Sequence, residues 1–278
     1  MRRKSDILTP LGLIVSIGLI LWACISGGSS IKIFYDFPSI LITVIGSLGA
    51  IVITYPIEDV KLIPKALKYS FTNGDSSKVE LLNQFKMLSR KARRDGLLAL
   101  DDDLQSIDNS FLRKGLELSI DGVEQEVVKE ILENEIAEYE SSTGKYSEMF
   151  KIWGSYAPAF GMMGTLVGLI QMLSDLTSPD MIAAGMGKAL ITTFYGSFMS
   201  SIVLNPIGYN IEAKLATEVN TMEMITDGII SIQIGDSSRI LEGKLLSYLS
   251  NDEKVEYFRE LKSSGSNSFV EGATGNVS

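Results

Sequence analysis

The sequence contains no histidine and a single cysteine, Cys24. One cysteine cannot close an internal disulfide, so nothing ties the chain to an oxidising compartment. Without histidine, a zinc site and a Ser-His or Cys-His nucleophile lack their usual residue. No nucleophile–base–acid set is visible either, so the chain does not read as an enzyme. Basic residues are also in short supply, 25 against 34 acidic ones, for a formal net charge of −9. That balance offers no footing for nucleic acid. Yet hydrophobic residues make up 45% of the chain. Apolar and charged residues must be segregated, the pattern of membrane spans alternating with solvated segments.

Four runs lack charge through their central parts: residues 10–25, 37–55, 152–173 and 189–210. Each is near the ~20 residues that a helix needs to cross a hydrocarbon core. Arg2, Arg3 and Lys4 precede the first run, Lys61, Lys65 and Lys68 follow the second, Lys151 opens the third and Lys214 follows the fourth. The segment 26–36 carries only Lys32, and 174–187 carries no lysine or arginine. By the positive-inside rule both termini and the long middle segment are cytoplasmic, in a multi-pass protein of the cytoplasmic (inner) membrane. The basic start and first apolar run share the outline of a signal peptide, and Leu21-Trp22-Ala23-Cys24 loosely resembles a lipoprotein processing site. Trp22 is bulky where small residues are wanted and a second span follows at once, so Cys24 reads as an ordinary span residue.

The fold class expected is an all-α integral membrane protein. It has four transmembrane helices, a cytoplasmic helical domain between spans two and three, and a long helix continuing span four. The domains expected are 1–57 (spans one and two), 58–150 (cytoplasmic helices), 151–210 (spans three and four), 211–262 (C-terminal helices) and 263–278, a Gly/Ser/Asn-rich tail with the composition of disorder. Within the middle segment, residues 78–94 form an amphipathic helix burying Val79, Leu82, Phe85 and Leu88. Shorter helices follow around 97–107 and 111–120. The stretch 123–139 places Val127, Ile131, Leu132, Ile136 and Tyr139 on one side, with Gly144 as a point of interruption before span three. After span four, Ile211, Leu215, Val219, Met222, Ile225, Ile229 and Ile232 recur every three or four residues as one apolar stripe.

Ionisable residues inside spans are expensive and usually functional. The centres of all four spans hold none, so a carboxylate that carries an ion would have to come from another polypeptide. Span three offers small and polar residues instead: Pro158, Gly161, Thr165 and Gly168 are 3, 4 and 3 apart and share a face. Gly164 and Gly168 form a GxxxG. Span four adds Thr192, Thr193, Gly196, Ser197, Ser200, Ser201 and Asn205. Pro158 and Pro206 each free a backbone carbonyl one turn earlier. On spacing alone, these residues read first as packing in an ordinary helical bundle and second as a face for a partner helix and an ion pathway.

Three strings shift that balance: YAPAFGMMGTLVGLI in span three, GKALITTFYG followed by NPIG in span four, and ARRDGLLALD in the middle segment. In this order, and with the two-plus-two arrangement of spans, they resemble the MotA/PomA stator subunits of the bacterial flagellar motor over nearly the whole chain. The resemblance implies a homopentamer in membrane lipid around two copies of a single-span MotB/PomB partner that carries the ion-binding aspartate. It also implies torque on the rotor protein FliG. Pro158 and Pro206 match the family's functional prolines, and Thr165 and Thr193 match pathway positions. Arg93 matches the rotor-engaging arginine, Arg94 an additional basic residue of some members, and Asp101 the acidic counterpart. The family usually has glutamate at that last position, so reach to the rotor differs, and Asp102 and Asp103 are candidate substitutes. No cofactor is implied beyond the transported ion, H+ or Na+. Thr165 is the residue of sodium-driven members, but a threonine also suits a proton path, and the ion is read as a proton. The nearest rival is the ExbB/TolQ energiser class, which has three spans. A self-contained transporter would show repeats and a midplane site, and a membrane scaffold would pass no ion.

Overall fold

The computed structural model describes residues 4–5, 8–26, 28, 30–73, 77–174 and 176–274. Nine helices carry the description: α1 (Leu8–Ser26), α2 (Phe37–Thr54), α3 (Ile63–Ser70), α4 (Lys78–Asp95), α5 (Ser110–Ile120), α6 (Gln125–Ser174), α7 (Pro179–Ile234), α8 (Ser238–Leu246) and α9 (Asn251–Thr274). Short turns of helix fill the gaps at Ile31–Phe34, Ile57–Val60, Leu97–Leu100 and Asp101–Leu104. Among the described residues, strand pairing is confined to β1 (Lys4–Ser5) antiparallel to β2 (Thr72–Asn73), with Lys4 opposite Asn73. The helices α1, α2, α6 and α7 are long and apolar enough to cross a membrane, as the all-α, four-span reading requires.

The chain divides into two compact units. The first comprises residues 74–140 and 216–278. Its α4 begins at an N-cap: the Ser77 hydroxyl accepts the Glu80 N–H at 3.4 Å. Val79, Leu82, Phe85 and Leu88 are buried as their spacing demands, packed with Ile225, Ile229 and Ile232 of the α7 stripe. The stretch 97–107 is broken into two turns and not one helix, while α5 starts where Asn109 accepts the Phe111 and Leu112 N–H groups. In α6 the buried valine is Val128, with Leu132 and Ile136 four and eight residues on, and Val127 is exposed. Neighbouring valines lie about 100° apart on a helix, so one turns inward and the other out.

The second unit comprises residues 3–73 and 141–215. It takes in residues 58–73 and 141–150, which the sequence reading assigns to the cytoplasmic helices. The cause is a shared apolar cluster in which Ala66 and Tyr69 of α3 pack with Phe150, Ala157, Leu204, Ile207 and Ile211. Gly144 does not interrupt α6, which runs through it. Pro158 does not break α6 either, and Pro206 lies within α7 immediately after a π turn at Met199–Leu204. Trp153 Nε1 donates to Ser47 Oγ at 3.0 Å, joining α6 to α2. Asn210 Nδ2 donates to Thr9 Oγ1 at 3.0 Å and Ser70 Oγ donates to Asn210 Oδ1 at 3.2 Å, so one side chain joins α1, α3 and α7. Side chains such as Ile14 and Trp22 stay exposed on α1, the surface that a hydrocarbon solvent calls for.

At the C-terminus, α9 continues to Thr274, beyond residue 262 where the composition suggests that regular structure ends. Extending a helix already nucleated costs little per residue. Residues 275–278 of the tail read as disordered lie outside the described residues.

Candidate functional site

Spans three and four lie antiparallel and very close. A Cβ on Gly161 would come within 2.9 Å of the Thr192 carbonyl oxygen, and one on Gly196 within 2.7 Å of the Ala157 oxygen. Gly168 faces Gly185 and Ala189, while Gly164 receives the Thr192 methyl. The helix that these small residues admit is therefore span four of the same chain. Gly161 and Gly168, read as a face for a partner helix, are taken up by this internal contact. Thr192 is fully buried in the same contact, its hydroxyl donating back to Lys188 O or Ala189 O.

At the edge of the contact lies a cluster of hydroxyls. Thr165 Oγ1 is hydrogen-bonded to Thr193 Oγ1 across the two helices. It also lies 3.1 Å from Gly161 O and 3.0 Å from Ala189 O, either of which can take its proton. Thr193 Oγ1 lies 3.4 Å from the same Ala189 oxygen. Thr193 is exposed and Thr165 half-buried, so the pair opens onto the outer face of the hairpin. Met162, Leu166 and Leu190 are exposed around it. The arrangement is a small set of neutral oxygens in an apolar surround. Such oxygens can ligate a dehydrated cation or relay a proton, but they cannot supply a charge. Among the described residues, no group of three or more Asp, Glu or Cys side chains is placed to hold a metal ion.

The two prolines are not equivalent. Pro158 has no N–H for the Gly154 carbonyl, and that oxygen instead accepts the Ser200 hydroxyl at 2.6 Å. Asn205 Nδ2 donates to Ser200 Oγ at 3.1 Å, and its carbonyl lies against Gly154. The freed carbonyl is thus satisfied within the chain and does not line an open path. A Cβ on Gly196, three residues from Thr193, would come within 3.1 Å of the Pro158 Cα. Pro206 is exposed and stands thirteen residues beyond Thr193, about 20 Å along the helix axis, so the structure does not bring it to the hydroxyl cluster. Beside it, Lys151 pairs with Glu212 at 2.7 Å and stacks over the Tyr209 ring. The sequence reading placed a freed carbonyl one turn before Pro158, at Gly154, but missed its Ser200 donor and the Lys151–Glu212 pair. It also missed a cavity of about 640 Å³ lined by Phe34, Asp36, Gln171, Lys188 and Phe194.

The second group lies in the other unit. Arg93 and Arg94 are exposed in the last turn of α4, and Asp101 and Asp102 are exposed at the start of the Asp101–Leu104 turn. Arg94 forms a two-pronged pair with Asp95, at 2.9 and 2.8 Å, which holds that carboxyl below the usual carboxylate range. Asp103 is held by Lys91 at 2.8 Å and so is not a spare acid. Further back on α4, Lys86 Nζ donates to the Tyr257 hydroxyl at 2.6 Å and pairs with Glu242 at 3.1 Å. Tyr257 in turn donates to Glu242 at 2.5 Å. Burial pushes Glu242 up, but the hydrogen bonds from Tyr257 and Lys86 outweigh it and hold the carboxyl below its ordinary range. Burial, with Glu242 as acceptor, pushes the Tyr257 phenol well up, so it stays a donor. This network fastens α8 and α9 to the helix that carries Arg93.

The profile of the MotA/TolQ/ExbB proton channel family matches residues 103–224. The uncharacterized protein YtxD of Bacillus subtilis is 37% identical over 94% of this chain and 96% of its own length. Motility protein A of Borreliella burgdorferi is 36% identical over 87% of this chain and 93% of its own. Among solved structures, the flagellar MotAB stator complex of Bacillus subtilis aligns with a TM-score of 0.85 at 27% identity, covering 91% of this chain and 99% of that one.

Proposed function

The chain belongs to the MotA/PomA family of flagellar stator subunits, and on that premise we propose that it passes H+ or Na+ together with a single-span, MotB-type partner and turns that flow into torque on a FliG-type rotor protein. It is a multi-pass protein of the inner membrane, and its relatives are stator subunits, not enzymes. The observation that carries the proposal is the Thr165–Thr193 hydroxyl pair: neutral oxygens on an open face of a span hairpin whose spans contain no carboxylate. A path of this kind is incomplete until another helix brings an acid to it. The partner supplies the titrating or ligating charge, and the threonines supply the oxygens around it. Moving one charge through 100 mV releases about 2.3 kcal/mol, comparable to the cost of rearranging a few interhelical contacts. A step per ion is then affordable, in a ring of these subunits turning around the partner. Both termini, and the segment carrying Arg93 and Asp101, are assigned to the cytoplasm, where the rotor is. The ExbB/TolQ alternative has less support, because relatives named for motility and chemotaxis match over most of the chain.

Swimming tests the proposal. The chain is co-expressed with a MotB-type partner in a host that lacks its own stators, and speed is measured with and without a sodium gradient. Restored swimming is expected, with Thr165→Val slowing it at least several-fold at unchanged protein level. Swimming that survives removal of sodium makes the ion a proton; swimming that needs sodium makes Thr165 and Thr193 ligands. A stable, co-purifying pair that never restores motility with a matched rotor protein would refute the reading.

A further inference from the structure

The turn that follows α4 separates three leucines. Gly96 has φ of +88°, a left-handed conformation that ends the helix and redirects the chain. Beyond it, Leu100 is fully buried and Leu97 packs against the same core, whereas Leu98 is 76% exposed. A single exposed leucine needs no explanation; its charged neighbours are what set this one apart. Arg94 and Lys91 are engaged by Asp95 and Asp103. Arg93, Asp101 and Asp102 are exposed, and among the described residues their side chains make no ion pair or hydrogen bond. Internal pairing thus leaves Arg93 as the available cation nearest the leucine and two available anions after it, Asp101 and Asp102. An apolar side chain inside a rim of charge is the composition of an interface hot spot.

We propose that Leu98 is the apolar anchor of the rotor-facing surface, seated in an apolar pocket of the partner that lies between a carboxylate and a basic side chain. The inference rests on the rotor contact proposed above and specifies its chemistry. Arg93 and the Asp101–Asp102 pair steer the encounter and set its register, and they are screened by salt. Leu98 supplies the contact that salt does not weaken, so a unit can hold the rotor under load at cytoplasmic ionic strength and still let go within a step.

The test uses the full stator complex with a fluorescent tag in stator-less cells, counting units engaged per motor and measuring torque. Four variants are compared: Leu98→Gln, the conservative Leu98→Met, the charge reversal Arg93→Glu, and Met87→Gln, a change at another exposed apolar residue of α4. Leu98→Gln is expected to weaken engagement roughly tenfold, the scale of a hot-spot truncation, with ion conduction and complex mass unchanged. Leu98→Met should retain engagement, and Met87→Gln should behave as wild type. If Leu98→Gln engages normally while Arg93→Glu does not, the anchor is overturned and the rotor reading survives. If both engage normally, the rotor reading falls and the anchor with it. An equal loss in Met87→Gln, or a Leu98→Gln complex of altered mass, also overturns the assignment.

Discussion

A Cβ placed on Gly168 would meet the Ala189 nitrogen at 2.7 Å and the Gly185 oxygen at 2.8 Å. Those are backbone atoms of the facing span and cannot swing aside as the tip of a side chain can. On Gly187, only two residues from Ala189, a Cβ would meet nothing within 4 Å. Gly168→Ala should therefore lower the melting temperature of the purified complex, at a cost of about 1–3 kcal/mol, and Gly187→Ala should leave it nearly unchanged. Equal melting of the two variants would contradict the close contact of spans three and four. The GxxxG was legible as a point of close approach. Its partner was not, because small residues admit any helix and spacing does not say which. Thr192 and Thr193 make the same point. They are adjacent and chemically identical, yet a rotation of about 100° puts one in the helix contact and the other on the open face.

Among the described residues, two long helices hold a proline, Pro158 and Pro206, and run on regardless. For Pro158 the structure gives the reason: Ser200 of α7 donates to the carbonyl of Gly154 that the proline leaves without a donor. Removing that hydroxyl with Ser200→Ala strands a buried acceptor and should cost about 1–3 kcal/mol. In a Pro158→Ala background the helix recovers its own N–H, and the same change should cost far less. Melting of the four proteins in this double-mutant cycle decides the matter; additive losses would mean that the two sites do not share the carbonyl. Capping chemistry fixes other element boundaries. Ser77 and Glu80 start α4, Asn109 starts α5, and Gly96 ends α4 with a positive φ. The π turn at Met199–Leu204 carries no such mark. Its residues, Met, Ser, Ser, Ile, Val and Leu, all occur in α-helices, so residue type alone does not mark the extra residue per turn.

Across the whole molecule, charge and hydropathy alternate in blocks long enough to assign sides. The expected topology places segments 26–36 and 174–187 outside and both termini inside. A phosphatase that folds only outside the inner membrane, fused at residue 28 or 177, should be active, and the same enzyme fused after residue 249 should be inactive. The reverse pattern would invert the orientation and remove Arg93 and Asp101 from the compartment of the rotor. The same alternation does not locate the unit boundaries. Residues 58–73 and 141–150 carry charge and look solvated, but Ala66, Tyr69 and Phe150 place them with the second unit through a shared apolar cluster.

Hydropathy, periodicity and three strings were enough to determine four spans, an all-helical class, the apolar stripes of α4 and α7, the lack of an intramembrane acid and the family. These are properties of single segments, written in local composition, and they do not depend on what a segment touches. Tertiary structure alone decided that span four fills the glycine face of span three and that Ser200 closes the carbonyl freed by Pro158. It also decided which of the charges around Gly96 are spent on one another. Each of these turns on which side chains meet once the chain has folded, and local composition does not carry that information.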